Sequence, residues 1–284
     1  MAAPPRDIPL PVKRQLRQES GFGCCICGSP ILEYHHIRPF AEYPEHDPQH
    51  MITLCPTHHH EATAGGITEE EQRQSKSNPI NIQRGYAEGL LRITDPALAV
   101  HVATNDFVGP GFKLVVDDQP LLALDRTDAG RLHLSLDLFD QDDNLIISIV
   151  NNEWIAGDPM PWDIEFVVRC LTIRRRHGDV ALRLDARATP VILQGDLWRK
   201  RQHFSLRPDG LYFNGVLRDI GFIELGLVAL GIHVDTTVGH LELKPDARFG
   251  KAMIVSLPDR AQRLMKCFEA LERLEREASE QRPV

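Results

Sequence analysis

Two short clusters of soft ligands restrict this chain more than any other feature: Cys24-Cys25-Ile26-Cys27-Gly28 and, further on, Cys55-Pro56-Thr57-His58. Cys24 and Cys27 form a C-x2-C pair with Cys25 as the odd residue inside it, and Cys55 and His58 form a C-x2-H pair. Two such knuckles, with Gly28 and Pro56 shaping the turns, close a tetrahedral Cys3His site suited to structural Zn2+. Whatever else the chain does, these two pieces are pinned together. Three of the cysteines fall within four positions, a grouping that favours metal over disulfide in a reducing compartment.

A chain of 284 residues has room for two modest domains. Its 42% hydrophobic and 25% charged content is that of a soluble globular protein. No apolar run reaches membrane-spanning length, and MAAPPRDIPLPVKRQ has prolines where a signal peptide needs an apolar core. The expectation is a cytoplasmic protein with no membrane partner. The net charge of −8 repels nucleic acid overall, so a polynucleotide would have to be held by local basic clusters.

Residues 1–66 hold the Cys- and His-rich module. Residues 67–106 read as a helical connector, opening on a polar helix capped by Thr68 with Glu69 to Glu71 in its first turn and broken at Asn78-Pro79. From FVGPG at 107–111, short stretches such as FKLVVD, RLHLSLDL, NLIISIV, IEFVVRCL, VALRL and LYFNGVL alternate with turns such as DQDDN and RHGD. Residues 107–256 therefore predict a β-rich domain: a sandwich, a curved open sheet or a solenoid-like stack. Residues 257–284 are helical in pattern, with Leu264, Phe268 and Leu271 on one stripe and Leu274 close by, a face for packing on the sheet or for self-association. The fold class is α+β. Trp154 and Trp162 bracket a loop that reads as a rigid turn packed by two indoles. Arg174-Arg175-Arg176-His177 and Arg199-Lys200-Arg201 sit at apparent strand ends, where charges are normally solvated.

The remaining histidines carry the functional question. His35 and His36 lie in EYHHI, a strand-like stretch in which neighbours point to opposite faces. One ring can bind a metal while the other stays free to take a proton. His59 follows His58 on the first turn of a helix. A metal between strand and helix with a free histidine beside it is what phosphodiester hydrolysis requires.

The order C-x2-C, EYHHIRPF, HDPQHMITLCPTHHH resembles the HNH endonucleases over about residues 12–66. That resemblance implies a ββα-metal module, a two-stranded hairpin followed by a helix. It makes His35 and His59 ligands of a catalytic Mg2+ or Mn2+, His36 the general base, and Cys24, Cys27, Cys55 and His58 the zinc knot. His50 stands where the family has an asparagine that orients the base, and Thr63 where some members have a further histidine ligand. Arg38, with Lys13, Arg14 and Arg17 from KRQLR, becomes a candidate for phosphate contact. The implied activity is divalent-metal-dependent cleavage of DNA, with the β-rich domain targeting, regulating or oligomerising the nuclease, as in defence against foreign DNA. The histidine at position 50 favours the alternative: a non-catalytic, zinc-stabilised module that binds nucleic acid or protein.

Overall fold

A computed structural model describes residues 7–84, 87–88, 91–92, 97–127, 131–156, 161–218 and 224–280. The chain is α+β and mostly strand, with open sheets and a C-terminal helix. No helix among the described residues is long and apolar enough to cross a membrane.

Helix α1 (Leu10–Glu19) carries Pro11 in its first turn, where the missing N–H costs nothing, and buries Leu16 and Arg17. Strands β1 (Glu33–His36) and β2 (Met51–Leu54) pair antiparallel, with Glu33 opposite Leu54 and His36 opposite Met51. Helix α2 (Pro56–Thr63) follows at once, Pro56 in its first turn. Helix α3 (Glu69–Ser77) opens on a capping box in which the Thr68 hydroxyl accepts from the Glu71 amide and the Glu71 carboxylate accepts from the Thr68 amide. Helix α4 (Ile80–Arg84) folds back on the first knuckle: the Ile80 amide donates to the Cys25 carbonyl, and the Asn81 side chain donates to the carbonyls of Gly21 and Gly28.

The helical connector predicted over 67–106 is thus helical only to Arg84. Strands Leu98–Val102 and Asn105–Gly109 already belong to the larger sheet, so β-structure begins well before 107. The GPG turn marks a change of sheet, not a boundary between domains. Strand Asn105–Gly109 lies in one sheet and Gly111–Val116 in the other. Two later strands run parallel to this pair, Leu225–Val228 beside the first and Leu230–Asp235 beside the second. The later pair changes sheet at Ala229, whose φ of 55° is the left-handed turn that allows it.

A third parallel pair joins Val191–Arg199 to Leu98–Val102, and the rest of each sheet is an antiparallel meander: Gly111–Val116 through Glu153–Ala156 in one, and Asp163–Val167 through Val216–Leu217 in the other. Strand Arg131–Phe139 shows why they stack. Leu132, Leu134, Leu136 and Leu138 are buried while the residues between them are not, and they share one core with Leu171, Leu182, Leu184 and Leu193 of the facing sheet. The layout is the sandwich among the three alternatives. Two stretches read as single strands are hairpins instead. IEFVVRCL turns at Val168 and Arg169, with φ of 44° and 59°, and LYFNGVL turns at Asn214-Gly215. Trp154 is buried in the sandwich near Phe166, whereas Trp162 meets α1; residues 157–160 of the loop between them lie outside the described residues.

Helix α5 (Arg260–Glu280) packs on the outer face of the second sheet through Cys267, Ala270, Leu271 and Leu274, with Leu264 and Phe268 at the margin. Small residues beneath it, Ala97, Ala99 and Gly226, permit the approach. A Cβ on Gly226 would stand 2.2 Å from Cys267 Sγ. At the helix start, the fully buried Arg263 donates to Asp106, Glu224 and the Leu257 carbonyl.

The N-terminal module is built onto the sandwich. Phe22 enters the sandwich core two residues before Cys24, and Ile31 forms a parallel bridge with Phe166. Arg17 lies buried against Asp163, donating from Nε and Nη2 at 2.9 and 2.7 Å. That corrects its expected role: with its fork filled and out of water, Arg17 has nothing to offer a phosphate. Its side chain also holds Tyr34 of β1.

Candidate metal centre and histidine cleft

The first site is the knot. Cys24 and Cys27 come from the turn after Phe22; Cys55 follows β2 as the residue that precedes α2, and His58 sits in the first turn of α2. All four ligand atoms lie within 4.8 Å of one another. Sulfurs about 2.3 Å from a tetrahedral zinc sit about 3.8 Å apart, and a sulfur and a nitrogen about 3.5 Å apart. Here Cys27 and Cys55 Sγ are 3.8 Å apart, while His58 Nδ1 lies 3.5 Å from Cys24 Sγ and 3.3 Å from Cys55 Sγ. The group could hold a metal such as zinc. Partial desolvation, with Cys24 and Cys55 crowding it, pushes the thiol of the surface-exposed Cys27 up to about 12. A divalent cation reverses that preference, because a coordinating thiol is deprotonated outright. Cys25 stays outside the set, its buried Sγ 3.5 Å from the Thr53 hydroxyl.

The second site is a cleft of about 880 Å3 along the open edge of β1, lined by Tyr34, His35, His36, Phe40, His59 and Thr63 among others. Because β1 pairs only with β2 among the described residues, side chains from both of its faces reach this edge. Glu33 and His35 share the face toward α2, where the His35 and His59 rings meet edge to face at 5.0 Å. His59 Nδ1 lies 2.9 Å from Glu33 Oε2, which turns Nε2 into the free lone pair. Burial, reinforced by His59 and His36, holds the His35 ring down at about 4, so it is neutral at physiological pH and has a lone pair to give.

His36, on the opposite face with Tyr34, packs on Phe40 at 5.1 Å, and its Nε2 is 3.1 Å from His46 Nδ1. Burial first and then His46 lower its affinity for a proton. The ring beside His36 is therefore His46, not His50. His50 closes a short turn, Pro48–His50, and accepts the Ile37 amide through its backbone carbonyl at 2.9 Å. Its Nδ1 is buried without a hydrogen-bond partner among the described residues, and its Nε2 is 3.9 Å from Asp47. It braces the end of β1 by main chain, not by side chain. His60 is exposed, and the Thr63 hydroxyl donates to the His59 carbonyl.

The basic candidates are mostly occupied. Lys13 pairs with Asp7, Arg14 lies 4.1 Å above Trp162, and Arg38 lies 5.4 Å from the Tyr43 ring. Arg174, Arg175 and Arg176 pair with Asp163, Glu165 and Asp179. Arg199 and Lys200 pair with Asp143 and Asp117. Both clusters are strand-end charges matched by carboxylates.

Two partners of the cleft histidines, Glu33 beside His59 and His46 beside His36, are not among the residues the sequence reading names. Strand alternation from His35 points to Glu33. Nothing local points to His46, whose place depends on the path of the loop between β1 and β2. No family model matches this chain, and no curated protein or solved structure does.

Proposed function

We propose that the chain is a divalent-metal-dependent endonuclease of the HNH type, hydrolysing DNA phosphodiester bonds at the β1–α2 cleft. The convergence of His35 and His59 beside an independent His36 carries this reading. A divalent ion such as Mg2+ or Mn2+, when bound, supplies positive charge for the phosphate and the leaving oxygen. Glu33 accepts the His59 Nδ1 proton, fixing the tautomer that offers Nε2, and His35 offers its neutral ring opposite. In the tautomer where His36 Nε2 donates to His46, the lone pair of His36 is at Nδ1, the atom that takes a proton from the attacking water. The zinc knot holds the start of α2, and with it His59, at a fixed distance from β1.

The test is plasmid cleavage with Mg2+, Mn2+ or Ni2+, comparing wild type with His36→Ala. Loss of cleavage in the variant at unchanged zinc content is the expected result. Equal cleavage by both chains, or none by either with any metal, removes the assignment. A second reading, a zinc-stapled binding module, is favoured by the neutralised basic clusters and by His50. It predicts one tightly held zinc and no second metal when Mn2+ is supplied.

A further inference from the structure

We infer that Asp163, acting through Arg17 and Tyr34, is the positioning element by which the sandwich sets the geometry of the strand that presents His35 and His36; its catalytic consequence rests on the nuclease reading above. Tyr34 stands between these two histidines in the sense that matters for a strand. It is adjacent to His35 and shares a face with His36. Its hydroxyl accepts a hydrogen bond from Arg17 Nη1, while the other two Arg17 donors hold both oxygens of Asp163. Asp163 is the first residue of the edge strand Asp163–Val167 and is itself buried, with Arg174 Nη1 a further 3.4 Å contact. The path from the sandwich to β1 is therefore two hydrogen bonds long, buried at Asp163 and Arg17 and half-buried at Tyr34.

Strand β1 needs such an anchor. It is four residues long, pairs on one side only, and a two-stranded hairpin is marginal on its own. The His50 carbonyl ties the Ile37 amide just beyond it, and the knot fixes Cys55 beyond β2. Neither reaches the middle of β1; Tyr34 does. Arg17 suits the task because its planar fork can grip a carboxylate with two donors and keep a third for the phenol, which a lysine cannot do. Displacement of a reacting group by about 1 Å is enough to lower turnover by about a hundredfold, so loosening the strand has a large effect on chemistry and little on substrate affinity.

Two variants separate this from loss of fold. Tyr34→Phe removes only the hydroxyl and leaves the Arg17–Asp163 pair intact. The double variant Arg17→Met/Asp163→Leu replaces the pair by apolar groups, an exchange that buried pairs tolerate, and breaks the link from the other side. In the full-length, zinc-loaded chain, both are expected to keep the zinc content and to speed amide exchange in residues 33–37 at least tenfold. They are expected to lower kcat for plasmid cleavage about tenfold, with KM for DNA unchanged. Exchange in 33–37 that matches wild type in both variants overturns the anchor. Faster exchange with an unchanged kcat overturns its role in catalysis. If wild type cuts no DNA with any metal, the nuclease reading fails by itself, and the exchange measurement still decides whether Asp163 holds the strand.

Discussion

If the Cys3His knot holds zinc, removing it is expected to unfold one part of the chain and spare the rest, with the boundary between Phe22 and Cys24. Among the described residues, the small core beneath the knot has Ile37, Ile52 and Leu54 as its only fully buried large aliphatic residues, the remainder being cysteines and Ala62. Burying three such side chains is worth roughly 5–9 kcal/mol. A structural zinc held by this group would contribute about 10–16 kcal/mol at neutral pH and so would outweigh the core beneath it. Without it, three cysteines and a histidine remain crowded with no shared cation, and β1, β2 and α2 lose the tie between them. Helix α1 does not depend on the knot, because Arg17 is held by Asp163 and Phe22 lies in the sandwich core. The assay is hydrogen exchange by mass spectrometry on the chain before and after chelation, or on Cys24→Ser. Protection is expected to vanish in 33–63 and to persist in 10–19, 131–139 and 179–185, with Cys24, Cys25 and Cys55 becoming reactive toward a thiol reagent. Protection in 33–63 that survives complete removal of zinc would refute the reasoning, as would loss of protection throughout the sandwich.

Three further outcomes follow from contacts described above. Asp106→Asn strips the fully buried Arg263 of its buried partner and should cost about 3–5 kcal/mol in urea unfolding. Burial by itself raises the Asp106 carboxyl, but hydrogen bonds from His101 and Arg260 outweigh it and hold the group below the usual carboxylate range. A depressed carboxyl stabilises the fold above its unfolded pKa of about 3.9 and loses that contribution as pH falls through the folded value. Wild type should therefore lose more stability than the variant below about pH 4. Gly226→Ala forces a methyl group onto Cys267 and should cost about 1–3 kcal/mol; adding Cys267→Ala should recover most of it, and strictly additive losses would contradict the close approach. On the nuclease reading, Glu33→Gln should weaken Mn2+ binding at the cleft about 10–100-fold by calorimetry while leaving zinc binding at the knot unchanged.

What the sequence made legible follows from the range of each signal. The knot was legible because ligand spacing is local chemistry, and the four residues it named come together. Thr68 as a cap and RLHLSLDL as a strand were legible for the same reason. Arg17 was misread because its partner is 146 positions away, and a lone arginine beside a basic run looks like a phosphate contact. The hairpin at Val168-Arg169 carries no glycine or asparagine to announce its left-handed φ values, so two strands read as one. Strands Leu98–Val102 and Asn105–Gly109 were folded into the connector because the Gly-Pro-Gly punctuation looked like a domain boundary. His46 was silent because a loop's path, not its composition, brings it to His36.

The place where both sheets are joined has a consequence for how the chain is made. Leu225 donates its amide to the Asn105 side chain across 120 positions of sequence, and the parallel pairs on either side of Ala229 close over the same span. Contacts of that separation form late, after the local meanders have condensed. Until residues 225–235 arrive, strands Asn105–Gly109 and Gly111–Val116 each present an unpaired hydrogen-bonding edge, the surface on which nascent chains associate with one another. Aggregation during synthesis is thus expected to be governed by this seam, and a chain that ends before residue 225 should be recovered in inclusion bodies even though most of its strands are present.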